Sequence, residues 1–168
     1  INAMRDFFLW GSTDKRYNKE KEHGQRGEKY MATYVISDIH GEYELFIKLL
    51  EKIRFTSADT LYVLGDVIDR GPHPIKALLK LMKMPNAVCL VGHHEVMALK
   101  CTKFLRQEIT QSSIEKIDET LLDNLATWHY NGAETTISEL RRLHEETQLV
   151  VLDFMAAFLV NETLTIEG

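Results

Sequence analysis

Asp38 and His40 stand one residue apart in Ser37-Asp38-Ile39-His40-Gly41, and Asp66, Asp69 and Arg70 crowd into Gly65-Asp66-Val67-Ile68-Asp69-Arg70-Gly71. A third cluster, Gly92-His93-His94-Glu95, follows. A carboxylate and an imidazole so spaced can reach one cation, and mixed oxygen and nitrogen donors suit a first-row metal such as Mn²⁺, Fe or Zn²⁺ better than Ca²⁺. Asp66 has two oxygens with which to bridge that cation to a second one. Two ions about 3.5–4 Å apart can activate a water and clamp a phosphoryl group for in-line attack. A hydroxide bridging such a pair makes a nucleophilic Ser or Cys unnecessary. His94 is the candidate general acid for the leaving oxygen, with Asp69 as its orienting partner. Arg70 offers a planar fork to phosphate oxygens. Glu95 stands with the candidates of the third loop, its bland alternative being a solvent-facing residue or the beginning of a helix, and His23, His73, His129 and His144 lack comparable context.

Each cluster follows a short apolar run: Tyr34-Val35-Ile36-Ser37, Leu61-Tyr62-Val63-Leu64 and Ala87-Val88-Cys89-Leu90-Val91. Such runs read as buried strands, and ligands of open α/β sheets gather where parallel strands end. Helical patterns lie between them. Phe46, Leu49, Leu50 and Ile53 form one stripe. Pro72 and Pro74 introduce a helix with Ile75, Leu78, Leu79 and Met82 on its apolar face. A third helix begins near His93 and runs through Val96, Met97 and Leu99 toward Leu105. This alternation predicts an α/β fold of βαβ units with a largely parallel sheet, so that the three polar loops emerge at one edge. Beyond Arg106 the pattern turns helical. Ile114, Ile117, Leu121, Leu122 and Leu125 make one stripe, Ile137, Leu140 and Leu143 another, and Leu149 to Val160 a third segment. Leu164-Thr165-Ile166 reads as a strand beginning.

The chain has 168 residues, 45% of them apolar, which is enough for one core rather than two complete domains. Its net charge of −5 argues against a broad nucleic-acid-binding face. The 20 Lys/Arg and 25 Asp/Glu divide as 7 and 5 over residues 1–30 (+2), leaving 13 and 20 (−7) for residues 31–168. An acidic body handling phosphate must draw positive charge from metal and Arg70. Cys89 and Cys101 lack CxxC spacing and read as two buried thiols in a reducing compartment. With no apolar stretch long enough to cross a membrane, the expected location is cytoplasmic. Residues 1–30 carry no periodicity and are expected to be a disordered leader or untranslated-region-derived segment, with Met31 as the natural start. Residues 31–105 form the expected βαβ metal-binding part and 106–160 the helical region. No G-x-G-x-x-G follows the first strand, which disfavours a dinucleotide-binding Rossmann domain.

Together these loops resemble the ordered signatures GDxHG, GDxxDRG and GNHE of the calcineurin-like metallophosphoesterases, in particular the phosphoprotein phosphatase branch. Trp128-His129-Tyr130-Asn131-Gly132 followed by Thr135-Thr136 is similar to the helical region of bacterial members related to serine/threonine phosphatases and symmetrical dinucleoside tetraphosphatases. The resemblance implies an α/β/β/α sandwich of which the N-terminal half is present, with a helical insertion. It implies two divalent ions, with Asp38, His40 and Asp66 as ligands and Asp66 bridging; Asp69 paired with the acid His94; and Arg70 on phosphate. Ser37 replaces the first Gly of GDxHG. His93 replaces an Asn that ligates the second metal, so an imidazole would have to serve there. The family's two further histidine ligands lie beyond the helical region, and the resemblance therefore implies a chain truncated after Gly168. Two readings follow. One is a dinuclear metal-dependent phosphoesterase, serine/threonine phosphatase-like and acting on phosphorylated protein, with a dinucleoside polyphosphate hydrolase as the alternative. The other is an inactive, metal-poor domain.

Overall fold

The computed structural model describes residues 10–11, 31–101, 105 and 118–164. A four-stranded sheet carries strands β1 (Trp10–Gly11), β2 (Thr33–Ile36), β3 (Thr60–Val63) and β4 (Ala87–Cys89) in that spatial order. Strands β2, β3 and β4 are parallel, with Ile36 opposite Val63 and Val63 opposite Cys89. Their C-terminal ends are thus level, and the loops after them open at one edge. β1 pairs antiparallel with β2, Trp10 opposite Val35, so these two residues of the expected leader join the sheet. The remainder of residues 1–30 lies outside the described residues.

Helices α1 (Tyr43–Lys52), α2 (Pro74–Met82) and α3 (His93–Lys100) follow the three parallel strands. In α1, Phe46 and Leu50 are buried, with Leu49 and Ile53 packed alongside, as their spacing predicts. In α2 the buried face is centred on Ile75, Ala77, Leu78 and Leu81, while Leu79 and Met82 lie at its margin. The expected face was therefore turned by about one residue. α3 departs further from an apolar stripe: its buried residues are His94, Glu95 and Ala98, and Val96 is exposed. Its inward side carries polar groups because it borders the polar loops.

Helices α4 (Glu119–Tyr130), α5 (Glu134–Arg141) and α6 (Glu145–Ala156) make up the described part of the helical region. α4 packs on α3, α5 on α2, and α6 on both. Trp128, Leu140, Val151, Leu152 and Met155 are buried, and Leu121, Leu125, Ile137 and Leu143 pack against them. Leu122, expected in the first stripe, is 53% exposed because its neighbour Leu121 takes the inward direction. Ile114 and Ile117 lie outside the described residues. α6 begins four residues before Leu149, and Val160 beyond it is exposed. Leu164 is irregular rather than the beginning of a strand, and Thr165 and Ile166 are outside the described residues. The chain regains the sheet earlier. Leu159 forms a parallel bridge with Leu90, its N–H donating to Cys89 O at 2.9 Å and its carbonyl accepting from Val91 N at 2.8 Å. Cys89 and Cys101 are free and buried, and burial pushes the Cys89 thiol up to about 12. Among the described residues, no helix is long and apolar enough to cross a membrane.

Candidate active site

Strands β2 and β3 end in loops whose backbone is unusually demanding. Asp38, His40, Asp66, Asp69 and Arg70 all adopt positive φ, between 43° and 70°. Side chains of L-residues rarely sit there, so each must be held by its surroundings. The holding contacts are visible. His40 N–H donates to Asp66 O at 2.9 Å and Gly41 N–H to Val67 O at 2.8 Å, which ties the first loop to the second. Arg70 N–H donates to Gly132 O at 2.9 Å, which ties the second loop to the turn between α4 and α5.

Glu95 secures the β3 loop from below. Its carboxylate is fully buried and accepts four backbone N–H groups: Asp66 at 2.8 Å, Gly92 at 2.9 Å, Val67 at 2.9 Å and Ile68 at 3.3 Å. Burial pushes this carboxyl upward while those bonds pull it down. The expectation of a solvent-facing Glu95 is thus corrected, and that of a helix beginning holds, since it occupies the first turn of α3. Gly92 is required by close approach: a Cβ there would lie 2.3 Å from Asp66 Oδ1.

Asp38, His40 and Asp66 each offer a ligand atom, and these atoms lie within 4.8 Å of one another. His40 Nδ1 meets the Ile68 carbonyl at 3.0 Å. A carbonyl can only accept, so Nδ1 carries the proton and the Nε2 lone pair faces the site. Burial lowers His40 below the usual imidazole value, and Arg70 adds to that, favouring the neutral form that binds metal. One oxygen of Asp66 accepts His94 N–H at 3.1 Å and the other lies 2.9 Å from His93 Nδ1. The chemistry of this set, two carboxylates and one neutral imidazole, fits a divalent first-row ion. His93 meets Asp66 and the His94 ring, whose centroid is 4.4 Å from its own, and its side chain is 66% exposed.

Beside this group stands a buried pair. His94 Nδ1 is 2.7 Å from Asp69 Oδ2, and neither side chain has any solvent exposure. The His40 and His94 rings meet edge to face at 4.6 Å. Arg70 spans the two, one guanidinium nitrogen 3.1 Å from His40 Nε2 and another 3.1 Å from His94 Nε2. A cation, an imidazole and a carboxylate cluster thus share one small surface at the sheet edge.

All seven residues named from sequence are therefore gathered here, His93 at the margin. Sequence reasoning gave no role to four others. Trp128 Nε1 donates to Asp69 Oδ2 at 2.8 Å, and Thr136 Oγ1 to Asp69 Oδ1 at 2.6 Å. Glu139 meets His73 Nδ1 at 3.0 Å and accepts Ile75 N–H at 3.0 Å, clasping α5 to the first turn of α2. Glu95 is the fourth. The Trp128-to-Thr136 stretch stood out as a pattern, but its distance from Asp69 in the chain hid the contact.

A family model described as calcineurin-like phosphoesterase matches residues 31–153. Among curated proteins, the chain is 34% identical over 101 residues to a symmetrical bis(5'-nucleosyl)-tetraphosphatase of Delftia acidovorans, covering 58% of this chain and 36% of that protein. A protein of the same name from Baumannia cicadellinicola is also 34% identical over 101 residues, 35% of its length. One from Salmonella paratyphi B is 43% identical over 68 residues, 39% of this chain and 24% of that protein. The chain spans about a third or less of the length of these relatives.

Proposed function

The chain belongs to the calcineurin-like phosphoesterase family, and from that premise we propose that it hydrolyses a bis(5'-nucleosyl) tetraphosphate between its central phosphates, releasing two nucleoside diphosphates. The observation that carries the reaction type is the contact of the buried His94–Asp69 pair with His40 at the edge of the Asp38–His40–Asp66 group. The names of the relatives favour the polyphosphate substrate over the phosphorylated protein expected first.

Asp38, His40 and Asp66 would hold divalent cation, with His93 as a further donor beside Asp66. Such ions supply Lewis-acid charge to phosphoryl oxygens and a water of lowered pKa. The chain's own residues do the rest. Arg70 lies between His40 and His94, where its fork can draw the phosphoryl oxygens toward both. As a P–O bond forms to the water oxygen, the water's proton passes to solvent and the bridging P–O bond breaks; with Arg70 turned from His94 Nε2 onto the phosphoryl oxygens, that nitrogen can carry the proton which the leaving diphosphate oxygen takes. Asp69 holds the imidazole through Nδ1, so the proton on that nitrogen stays in place while Nε2 exchanges its own.

The second reading, a metal-poor domain, draws on His93. Its Nδ1 lies against one Asp66 oxygen while His94 N–H takes the other, so both oxygens already have protein partners. Incubating the protein with Mn²⁺ and diadenosine tetraphosphate, then separating products by ion exchange, tests both. Two equal nucleoside diphosphates support the proposal. Unequal products, or turnover of a phosphopeptide alone, refute the substrate. No bound Mn²⁺ and no turnover supports the metal-poor domain.

A further inference from the structure

Asp69 is held by more than its histidine. Its Oδ2 accepts from His94 Nδ1 at 2.7 Å and from the Trp128 indole at 2.8 Å; its Oδ1 accepts from the Thr136 hydroxyl at 2.6 Å. That same hydroxyl accepts Asp69 N–H at 2.9 Å. One side chain therefore fixes both the carboxylate and the backbone of a residue whose φ is +70°. Trp128, Asp69 and His94 are fully buried and Thr136 nearly so.

The chemistry of these donors matters. A lysine or arginine on Asp69 would cancel its charge; an indole and a hydroxyl orient the carboxylate and leave the charge to act on the imidazole. Arg70, the cation nearby, sits instead on the opposite nitrogen of His94. Donors on both oxygens also remove the carboxylate's freedom to rotate about its Cβ–Cγ bond. The His94 ring is thereby kept with Nδ1 toward Asp69 and Nε2 toward the site.

We propose that Trp128 and Thr136 are positioning residues for the leaving-group acid, locking Asp69, and through it His94, from the helical region. This rests on the reading of His94 as that acid. The alternative is that they merely satisfy a buried carboxylate.

Three variants separate the two: Thr136→Val, which keeps the shape and deletes the hydroxyl; Thr136→Ser, which restores it; and Trp128→Phe. Each is assayed with Mn²⁺ on phenyl phosphate, whose leaving group needs a proton, and on 2,4-dinitrophenyl phosphate, whose leaving group does not. A positioned general acid is worth about 10²–10⁴ in rate, so its partial misalignment should lower kcat on phenyl phosphate about tenfold or more. Thr136→Val and Trp128→Phe should show that fall with little change on the dinitrophenyl ester, and Thr136→Ser should recover most of it. The second readout needs no turnover. The downfield NMR resonance of the His94 Nδ1 proton, present in wild type and Thr136→Ser, should be lost in Thr136→Val with near-UV circular dichroism unchanged. A retained resonance overturns the proposal whatever the rates. Equal losses on both esters, or none, also overturn it. If the wild type hydrolyses neither ester but splits diadenosine tetraphosphate, the resonance alone decides the positioning role; if it hydrolyses none of the three, the phosphoesterase reading fails and the resonance again decides.

Discussion

Changing Glu95→Gln keeps the size of the side chain and exchanges one oxygen for an amide nitrogen. If Oε1 is exchanged, Val67 and Ile68 lose their acceptor; if Oε2, Asp66 and Gly92 do. Either way two buried N–H groups then face an NH₂ donor. A buried donor left unmade costs about 1–3 kcal/mol. The Ile68 bond at 3.3 Å is the weakest of the four, so Gln should turn its nitrogen toward Val67 and Ile68. Against that cost, Gln carries no charge into the interior, where burial already pushes the Glu95 carboxyl upward. The net expectation is a loss of about 2–4 kcal/mol, a large share of a domain stability of about 5–15 kcal/mol. Urea unfolding at neutral pH followed by circular dichroism should show the midpoint falling by about 1–2 M with the slope unchanged. Asp66 lies on the loosened loop, so Mn²⁺ affinity measured by competition with an indicator should fall as well. A midpoint and a Mn²⁺ affinity both equal to wild type would refute the claim that this carboxylate holds the β3 loop.

Gly132→Ala should destabilise the protein by about 1–3 kcal/mol through a residue forced to positive φ. Its Cβ would also meet Arg70 Cγ at 3.0 Å, so vanadate binding should weaken more than stability alone accounts for; unchanged vanadate affinity would contradict this. His93→Asn exchanges the exposed imidazole on Asp66 Oδ2 for a smaller amide oxygen donor and should raise the number of Mn²⁺ ions bound per chain, measured by metal analysis after desalting; an unchanged or lower number would show that the imidazole serves there at least as well. Both thiols should resist a soluble disulfide reagent at pH 8 and react once urea is added. Because burial raises Cys89 to about 12 from an ordinary 9.0, the stability it contributes is complete below pH 9 and drains away as pH rises toward 12. Alkaline melts of a Cys89→Ala variant should therefore lack that part of the wild-type decline.

What could be read from the residues, and what could not, divides along chain distance. Asp38 and His40 are neighbours in sequence, and Leu61 to Leu64 announces where Asp66 must emerge, so local periodicity and parallel topology were enough to bring them together. The inward side of α3 was hidden because hydrophobic pattern looks for Val96, while the structure buries His94 and Glu95 against the polar loops. Leu121 and Leu122 are equally apolar, and only the placement of α4 on α3 decides which is covered. The contacts of Trp128 and Thr136 with Asp69 span 59 and 67 positions, a separation at which residue type alone says nothing about partnership. Nor does any pattern announce that Leu159 settles beside Leu90.

The five left-handed residues of the strand-end loops have a further cost. At about 1–3 kcal/mol each, their combined conformational penalty approaches the whole margin by which a domain stays folded. Short peptides copied from these loops would relax, and would lose the arrangement that brings Asp38, His40 and Asp66 together. Phe46 and Leu78, neither of them among the loop residues, help supply the counterweight. Shaving either side chain down would slacken this chemistry at temperatures where the bulk of the protein still gives a native spectrum.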